Sequence, residues 1–241
     1  MTLSISVIAQ FLGLVLGTLS ALARTSKRFP LRLIARVYVW IFRGTPLLVQ
    51  LTFFFFGLSV TGIYRWPSFD ILGIPIPGEV QAGIFALAVN EGAYMSEIVR
   101  AGILSVDRGQ MEAARSLGMT YGLAMRRIVL PQAARVIVPP LGNEFNNMLK
   151  TTSLLVVLGN VRELYFVFSA KNALLFHPFE LFLAAAAWYL LLTTAWGGVQ
   201  AWIERRLGRS TVIDAGPSLR DRLLRTGTGP GADPSLVSGG R

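Results

Sequence analysis

Polar and charged side chains interrupt an otherwise apolar stretch at residues 136–161. The clearest of them are Asn143, Glu144, Asn147 and Lys150. In a helix, positions 143, 147 and 150 fall on one face, and position 144 lies beside it. Ionisable residues inside a bilayer are costly, and they usually face a pathway or a partner. This face can therefore line a route for a small zwitterion, whose two charges would meet the carboxylate and the ammonium.

The residues just before this face predict a change in the helix. Pro139, Pro140 and Gly142 are expected to break or kink it. A broken helix exposes backbone groups that can bind a zwitterion near the middle of a membrane. In the alternative, Glu144 and Lys150 pair with each other or with a partner subunit and only hold the bundle together. The sequence leaves both alternatives open.

A second polar patch lies in the apolar stretch 80–96. It consists of Asn90, Glu91 and Tyr94. At this spacing the three side chains can line the same route. They can equally form hydrogen bonds between helices, and this alternative also stays open.

Composition places these patches in a membrane protein. The chain is 53% hydrophobic and 15% charged, whereas soluble domains usually contain about 25% charged residues. A net charge of +10 would suggest nucleic acid in a soluble protein. Here the charges cluster between long apolar runs, which indicates membrane topology and no nucleic-acid partner. The chain has no cysteine, so it forms neither a disulfide nor a thiolate metal site.

We predict an all-α membrane protein with five transmembrane helices, since a spanning helix needs about 20 mostly apolar residues. Three stretches are uncharged, and two carry the polar patches. In chain order the stretches are 3–23, 44–64 (with its helix beginning near Val37), 80–96, 136–161 and 181–203. Residues 1–207 are thus expected to form the transmembrane domain. The remainder, 208–241, is expected to be a mobile basic cytoplasmic tail.

The basic residues predict the orientation of this bundle. Most of the 23 lysines and arginines lie in the segments 24–43 and 97–135 and in the tail from residue 204. The intervening segments 65–79 and 162–180 carry few. Because cytoplasmic loops are the positive ones, we expect the N-terminus outside and the C-terminus in the cytoplasm.

The cytoplasmic segment between the third and fourth helices, about 101–131, is patterned. Asp107 can cap a helix, with Gln110 able to reciprocate three residues later. Gly118 fits the left-handed position after the last turn of that helix. A second helix is expected from Thr120 to Val129, stopping before the proline at 131. Secondary structure alone favours a plain surface hairpin that only links two membrane helices.

The residue types in this hairpin indicate more than a linker. Its spacing is E-A-A-x3-G-x9-I-x-L-P, carried by Glu112, Ala113, Ala114, Gly118, Ile128, Leu130 and Pro131. This pattern resembles the EAA loop of ABC importer permeases, which forms a coupling helix that docks into a cleft on the ATPase subunit. Small side chains allow close approach, Glu112 can pair with a partner base, and Gly118 lets the chain turn away.

Three further segments indicate which group of ABC importer permeases the chain resembles. Residues 43–51 (RGTPLLVQL), 91–102 and 130–144 are similar to polar-amino-acid permeases of this class, and the likeness runs from about residue 2 to about 207. One departure matters. Thr151 stands where many relatives have an aspartate, so the resemblance carries no preference for a particular substrate charge.

The resemblance implies a complete transport machine. A second permease subunit, identical or paralogous, would pair with this chain in a bacterial inner membrane. Two cytoplasmic ATPases would bind ATP and magnesium, and an external solute-binding protein would deliver a polar amino acid to segments 65–79 and 162–180. The chain itself would hold no cofactor. Its lysines, Lys27, Lys150 and Lys171, do not form the Gly-Lys-Ser/Thr of a P-loop, so we expect no enzyme activity by itself.

Two other classes of protein compete with this interpretation. An ion-coupled carrier or channel would need no ATPase, and the EAA-like loop argues against it. A membrane scaffold or enzyme without transport would not need the polar patches on the third and fourth helices.

Overall fold

A computed structural model describes residues 1–71 and 73–207. The predicted tail, 208–241, lies outside the described residues. The helices in chain order are α1 (Thr2–Thr25), α2 (Phe29–Gly44), α3 (Leu47–Thr52), α4 (Leu58–Val60), α5 (Gly78–Leu104), α6 (Arg108–Ser116), α7 (Tyr121–Ala124), α8 (Leu130–Thr151), α9 (Leu164–Leu175) and α10 (Pro178–Arg206). A π-helical segment, Phe53–Gly57, joins α3 to α4, and a second, Met125–Val129, joins α7 to α8.

The bundle is built around α5, which packs along most of α1. Glycines on α1 allow this close approach. A side chain at Gly17 would clash with Met95, and one at Gly13 would clash with Glu91. The apolar core lies beside this contact, where Ile5, Leu51, Leu87, Met148 and Leu155 are buried together.

The second predicted span is not one straight helix. We expected a helix beginning near Val37 and continuing through residue 64, but α2 and the segment Leu47–Val60 meet at a bend of 107°. Thr45 and Pro46 are extended at this bend, and Pro46 has no N–H with which to continue α2. The Gln50 amide donates to the carbonyls of Phe42 (3.0 Å) and Thr45 (3.1 Å) across the bend.

Length and apolar composition identify only some of the expected spans. Within the described residues, α1 and α10 each suit a membrane crossing, and the bent pair Phe29–Gly44 and Leu47–Val60 suits a third. Helices α5 and α8 have 27 and 22 residues, which is long enough to span, but they carry the polar patches. The five-span topology and its orientation stay predictions.

The fourth predicted span forms a continuous helix at the prolines, where we expected a break or a kink. Pro139 and Pro140 lie inside α8. Two side chains of α10 donate to carbonyls here: Gln200 to Pro139 (3.3 Å) and Trp196 to Gly142 (2.8 Å). These hydrogen bonds fasten α10 to α8 beside the two prolines. The helix is therefore not broken at these prolines, whereas the predicted kink stays a prediction. After Thr151, α8 runs on into a 3₁₀ segment, Thr152–Leu158.

The two segments predicted to be external contain structure that we did not predict. Segment 65–79 includes an antiparallel hairpin of β1 (Phe69–Ile71) and β2 (Ile74–Ile76). Segment 162–180 includes α9. The buried carboxylate of Glu163 caps α9 by accepting from the backbone N–H of Tyr165 (2.8 Å), and it also accepts from the Tyr189 hydroxyl (3.0 Å). Burial raises the pKa of the Glu163 carboxyl above its usual value.

Candidate functional site

A cavity of about 500 Å³, lined by polar and apolar side chains, lies between α3, α5 and α8. It brings together six of the seven residues that the sequence predicts for a substrate pathway. From α5 these are Asn90, Glu91 and Tyr94, and from α8 they are Glu144, Asn147 and Lys150. Leu47, Leu87 and Met148 supply apolar surface in the same wall. We call this space the transport cavity, after the pathway that its residues are predicted to line.

Asn143 is the predicted pathway residue that lies elsewhere. Its Oδ1 accepts a hydrogen bond from Nε2 of Gln200 on α10, at 3.2 Å. Next to it, Gly142 packs directly against the Gln200 side chain. The contact with α10 thus turns Asn143 away from Asn147, although the two residues are one helical turn apart.

The α5 patch both lines the cavity and bonds between helices. The Asn90 amide donates to the Phe42 carbonyl (3.1 Å) and to the Gln50 side chain (3.0 Å). The Glu91 carboxylate, with only 6% of its surface exposed, accepts from the Gln10 amide (3.0 Å). Lining a route and forming hydrogen bonds between helices, the two interpretations of this patch, are therefore compatible. The sequence did not lead us to Gln10, although it is an isolated amide in an otherwise apolar span.

The charges of the transport cavity are not neutralised by one another. Among the residues that the structure describes, no ion pair joins Glu144 to Lys150. Lys150 is exposed, and Glu144 is partly exposed. Two carboxylates, one ammonium and two amides thus surround a space large enough for a small solute. This arrangement suits a molecule that carries both a positive and a negative group.

The predicted hairpin forms at α6 and α7, and its cap and turn are as expected. Asp107 accepts from the N–H of Gly109 at 2.6 Å. Gly118 has φ +82°, the left-handed conformation that favours glycine. The N–H of Met119 then donates to the carbonyl of Ala114 at 3.1 Å, which closes the end of α6. The Gln110 side chain makes no reciprocal hydrogen bond within the described part of the chain.

The outer surface of this hairpin includes only part of the E-A-A pattern. Glu112 and Ala113 are exposed. Ala114 is buried, where α6 packs on α7 and on the second π segment. Leu117, which is 84% exposed, extends the outer surface at the end of α6. A docking partner would therefore meet Glu112, Ala113 and Leu117, whereas Ala114 holds the hairpin together.

The second half of the hairpin does not stop where we expected. A helix from Thr120 to Val129 that ended before Pro131 was predicted. Instead, α7 passes through the π segment Met125–Val129 directly into α8. Pro131 has no N–H for the regular helical hydrogen bond, and the π turn just before it lets the helix continue through the proline. Helix α7 of the hairpin is thus continuous with the cavity-lining helix α8.

Comparison with known proteins identifies the class of this protein. Residues 13–209 match the family described as binding-protein-dependent transport system inner membrane component. The chain belongs to this family, and the family predicted from its motifs is confirmed. It is therefore the permease subunit of an ABC importer, and its EAA loop is typical of the family.

Relatives with assigned roles carry amino acids. The arginine transport system permease protein of Corynebacterium glutamicum is 40% identical over 215 residues, which cover 87% of this chain and 67% of that protein. The L-cystine transport system permease protein of Bacillus subtilis is 39% identical over 210 residues, covering 86% and 84%.

A solved structure agrees with these relatives. An amino acid ABC transporter crystallised with histidines is 40% identical and superposes with a TM-score of 0.75, covering 86% of this chain and 90% of that one. The MetNI methionine ABC transporter, 18% identical with a TM-score of 0.67, shares the fold.

Proposed function

We propose that this chain translocates polar amino acids across a bacterial inner membrane, powered by separate ATPase subunits and supplied by an external solute-binding protein. The observation that carries the proposal is the transport cavity, in which α5 and α8 bring two carboxylates and one ammonium together. The amino-acid substrates of the relatives support the same class of solute.

In this proposal the backbone charges of the substrate meet opposite charges in the cavity. The α-carboxylate pairs with Lys150, and the α-ammonium pairs with Glu91 or Glu144. Asn90 and Asn147 donate and accept hydrogen bonds beside them. Binding a zwitterion in this way leaves the side chain of the substrate free to meet Tyr94 and the apolar wall.

The hairpin of α6 and α7 transmits movement of the ATPase to the transport cavity. ATP and magnesium bind to the partner ATPase, which docks on Glu112 and its neighbours. Because α7 continues through the second π segment into α8, displacement of α6 moves the helix that carries Glu144, Asn147 and Lys150. Closure of two ATPases beneath two permease subunits would then alternate the access of the cavity between the two sides of the membrane.

Reconstitution tests this function directly. The full chain is placed in proteoliposomes with its second permease subunit, its ATPase and its binding protein, and uptake of a labelled amino acid is followed. We expect uptake that requires ATP and binding protein together. Uptake by the permease without an ATPase, driven by an ion gradient, would instead identify an ion-coupled carrier.

A further inference from the structure

A second cavity, also about 500 Å³, opens between α1, α2 and α5, and arginines dominate its lining. Its wall includes Arg24, Arg36, Arg43, Glu97, Trp40 and Tyr94. Tyr94 separates it from the transport cavity, since this residue contributes to both. The lining has one carboxylate, so its charge differs sharply from that of the transport cavity.

One carboxylate is shared among three guanidinium groups at this site. Oε1 of Glu97 lies 2.9 Å from a guanidinium nitrogen of Arg24 and 3.3 Å from one of Arg43, and Oε2 accepts from Arg100 at 3.1 Å. Arg36 forms no ion pair with any residue in the described part of the chain. Guanidinium groups stay protonated in proteins, so the cluster keeps an excess of positive charge.

The arginines of this cluster differ in exposure, because Arg36 and Arg43 are exposed whereas Arg24 is mostly buried and paired with Glu97. The Arg24 side chain is only 14% exposed, and its Nε has no hydrogen-bond partner among the described residues. A negatively charged group in the cavity would offset the net positive charge of the cluster and supply acceptors for the exposed guanidinium groups of Arg36 and Arg43.

The surroundings of the cavity suit a lipid. Trp40 is 75% exposed at its edge, and the guanidinium of Arg43 lies over the Tyr94 ring at 5.3 Å. Tryptophan and tyrosine concentrate where a membrane meets water. Ile34 and Val37 of α2 expose apolar surface, which acyl chains can cover. Basic pockets between membrane helices on the cytoplasmic side bind anionic head groups, and segment 24–43 is predicted to lie on that side.

We propose that the arginine cavity binds the phosphate head group of an anionic phospholipid from the cytoplasmic leaflet. The lipid would bridge α1, α2 and α5 just outside the transport cavity. The proposal depends on the predicted orientation of the bundle, and it does not depend on which solute the transport cavity carries.

Arg36 provides the test, because it lines the cavity without an ion pair to lose. The full chain is purified in neutral detergent, and native mass spectrometry measures retention of phosphatidylglycerol against phosphatidylcholine. We expect Arg36→Gln to bind phosphatidylglycerol about fivefold more weakly, the effect of one arginine near an anionic lipid. Arg32→Gln, one turn earlier on α2 and outside the cavity lining, is the control and should match the unmodified chain.

A charge-conserving variant and a competition with inorganic phosphate complete the test. Arg36→Lys keeps the charge and should retain phosphatidylglycerol within about twofold, even if Arg36→Gln proves poorly folded. Inorganic phosphate at the same concentration should leave the bound lipid in place. Equal retention by the unmodified chain and by Arg36→Gln, loss in Arg36→Lys as large as in Arg36→Gln, or complete displacement by inorganic phosphate would each overturn the proposal.

Discussion

The Nε2 of Gln10 on α1 donates a hydrogen bond to Oε1 of Glu91 on α5, with 3.0 Å between the two atoms. Both side chains are buried, and Glu91 is one of the two carboxylates of the transport cavity. The Gln10 amide on α1 thus holds the Glu91 carboxylate, which α5 contributes to the cavity. The packing of α1 on α5 therefore determines where that charge faces the cavity.

Removing the charge of Glu91 is expected to weaken substrate binding. Glu91→Gln keeps the size of the side chain, so the contact with Gln10 can persist. A hydrogen bond to a charged group contributes about 1.5–3 kcal/mol, so the apparent KM for uptake should rise about tenfold or more. Glu79→Gln, on the same helix but outside the cavity lining, should leave uptake unchanged. An unaltered KM in Glu91→Gln would remove this carboxylate from the pathway.

Two asparagines one turn apart on α8 should behave differently. Asn147 lines the transport cavity, whereas Asn143 bonds to Gln200 on α10. Asn147→Ala is therefore expected to raise the apparent KM several-fold, because a neutral hydrogen bond contributes about 1 kcal/mol. Asn143→Ala should leave the KM unchanged and lower thermal stability. Uptake assays and melting curves on both variants test this difference. A raised KM in Asn143→Ala with an unchanged KM in Asn147→Ala would contradict the placement of the two side chains.

A charge reversal on α6 should separate insertion from coupling. Glu112→Lys changes an exposed residue, so the protein should insert and fold normally. Uptake and stimulation of the ATPase by loaded binding protein should both be lost, because a partner base would now meet a like charge. Glu112→Gln removes the negative charge without introducing a like one, so it should lose less activity than Glu112→Lys. Normal transport by Glu112→Lys would refute the docking role.

The close packing of α1 on α5 predicts that a larger residue at Gly17 lowers thermal stability. A methyl group at Gly17 would clash with Met95, whereas Gly197 on α10 has open space around it. Overfilling a packed contact typically costs about 1–3 kcal/mol. Gly17→Ala should therefore lower the melting temperature of the purified chain, and Gly197→Ala should leave it equal or higher. Equal melting temperatures would show that the two helices separate more easily than their packing indicates.

The sequence predicted the features that depend on local residue types. Gly118 adopts the left-handed turn because a glycine follows a helix, and Asp107 caps that helix because its side chain reaches the next N–H groups. The first and last apolar stretches form the long helices α1 and α10. Residue spacing grouped the polar side chains within each patch, and the packing of α5 on α8 then brings the two patches to one cavity.

Features that depend on contacts between helices were not predictable in this way. Asn143 lies outside the transport cavity because it bonds to Gln200 of α10, and no pattern of neighbouring residues predicts a contact between two distant helices. The bend at Pro46 interrupts a continuous apolar run, so the run alone indicated one helix. Helix α9 has 12 residues, which is too short to be recognised as a span.

Leu117 offers the most direct test of the central claim, that α6 is where an ATP-hydrolysing subunit docks. The chain contains no cysteine, so Leu117→Cys creates a single attachment point for a thiol-reactive photo-crosslinker on the exposed end of α6. In membranes containing the whole transporter, illumination should join this position to the ATPase subunit, and only reagents that reach the cytoplasmic side should label it. Labelling from outside the cell, or adducts that never contain a nucleotide-hydrolysing protein, would contradict the account.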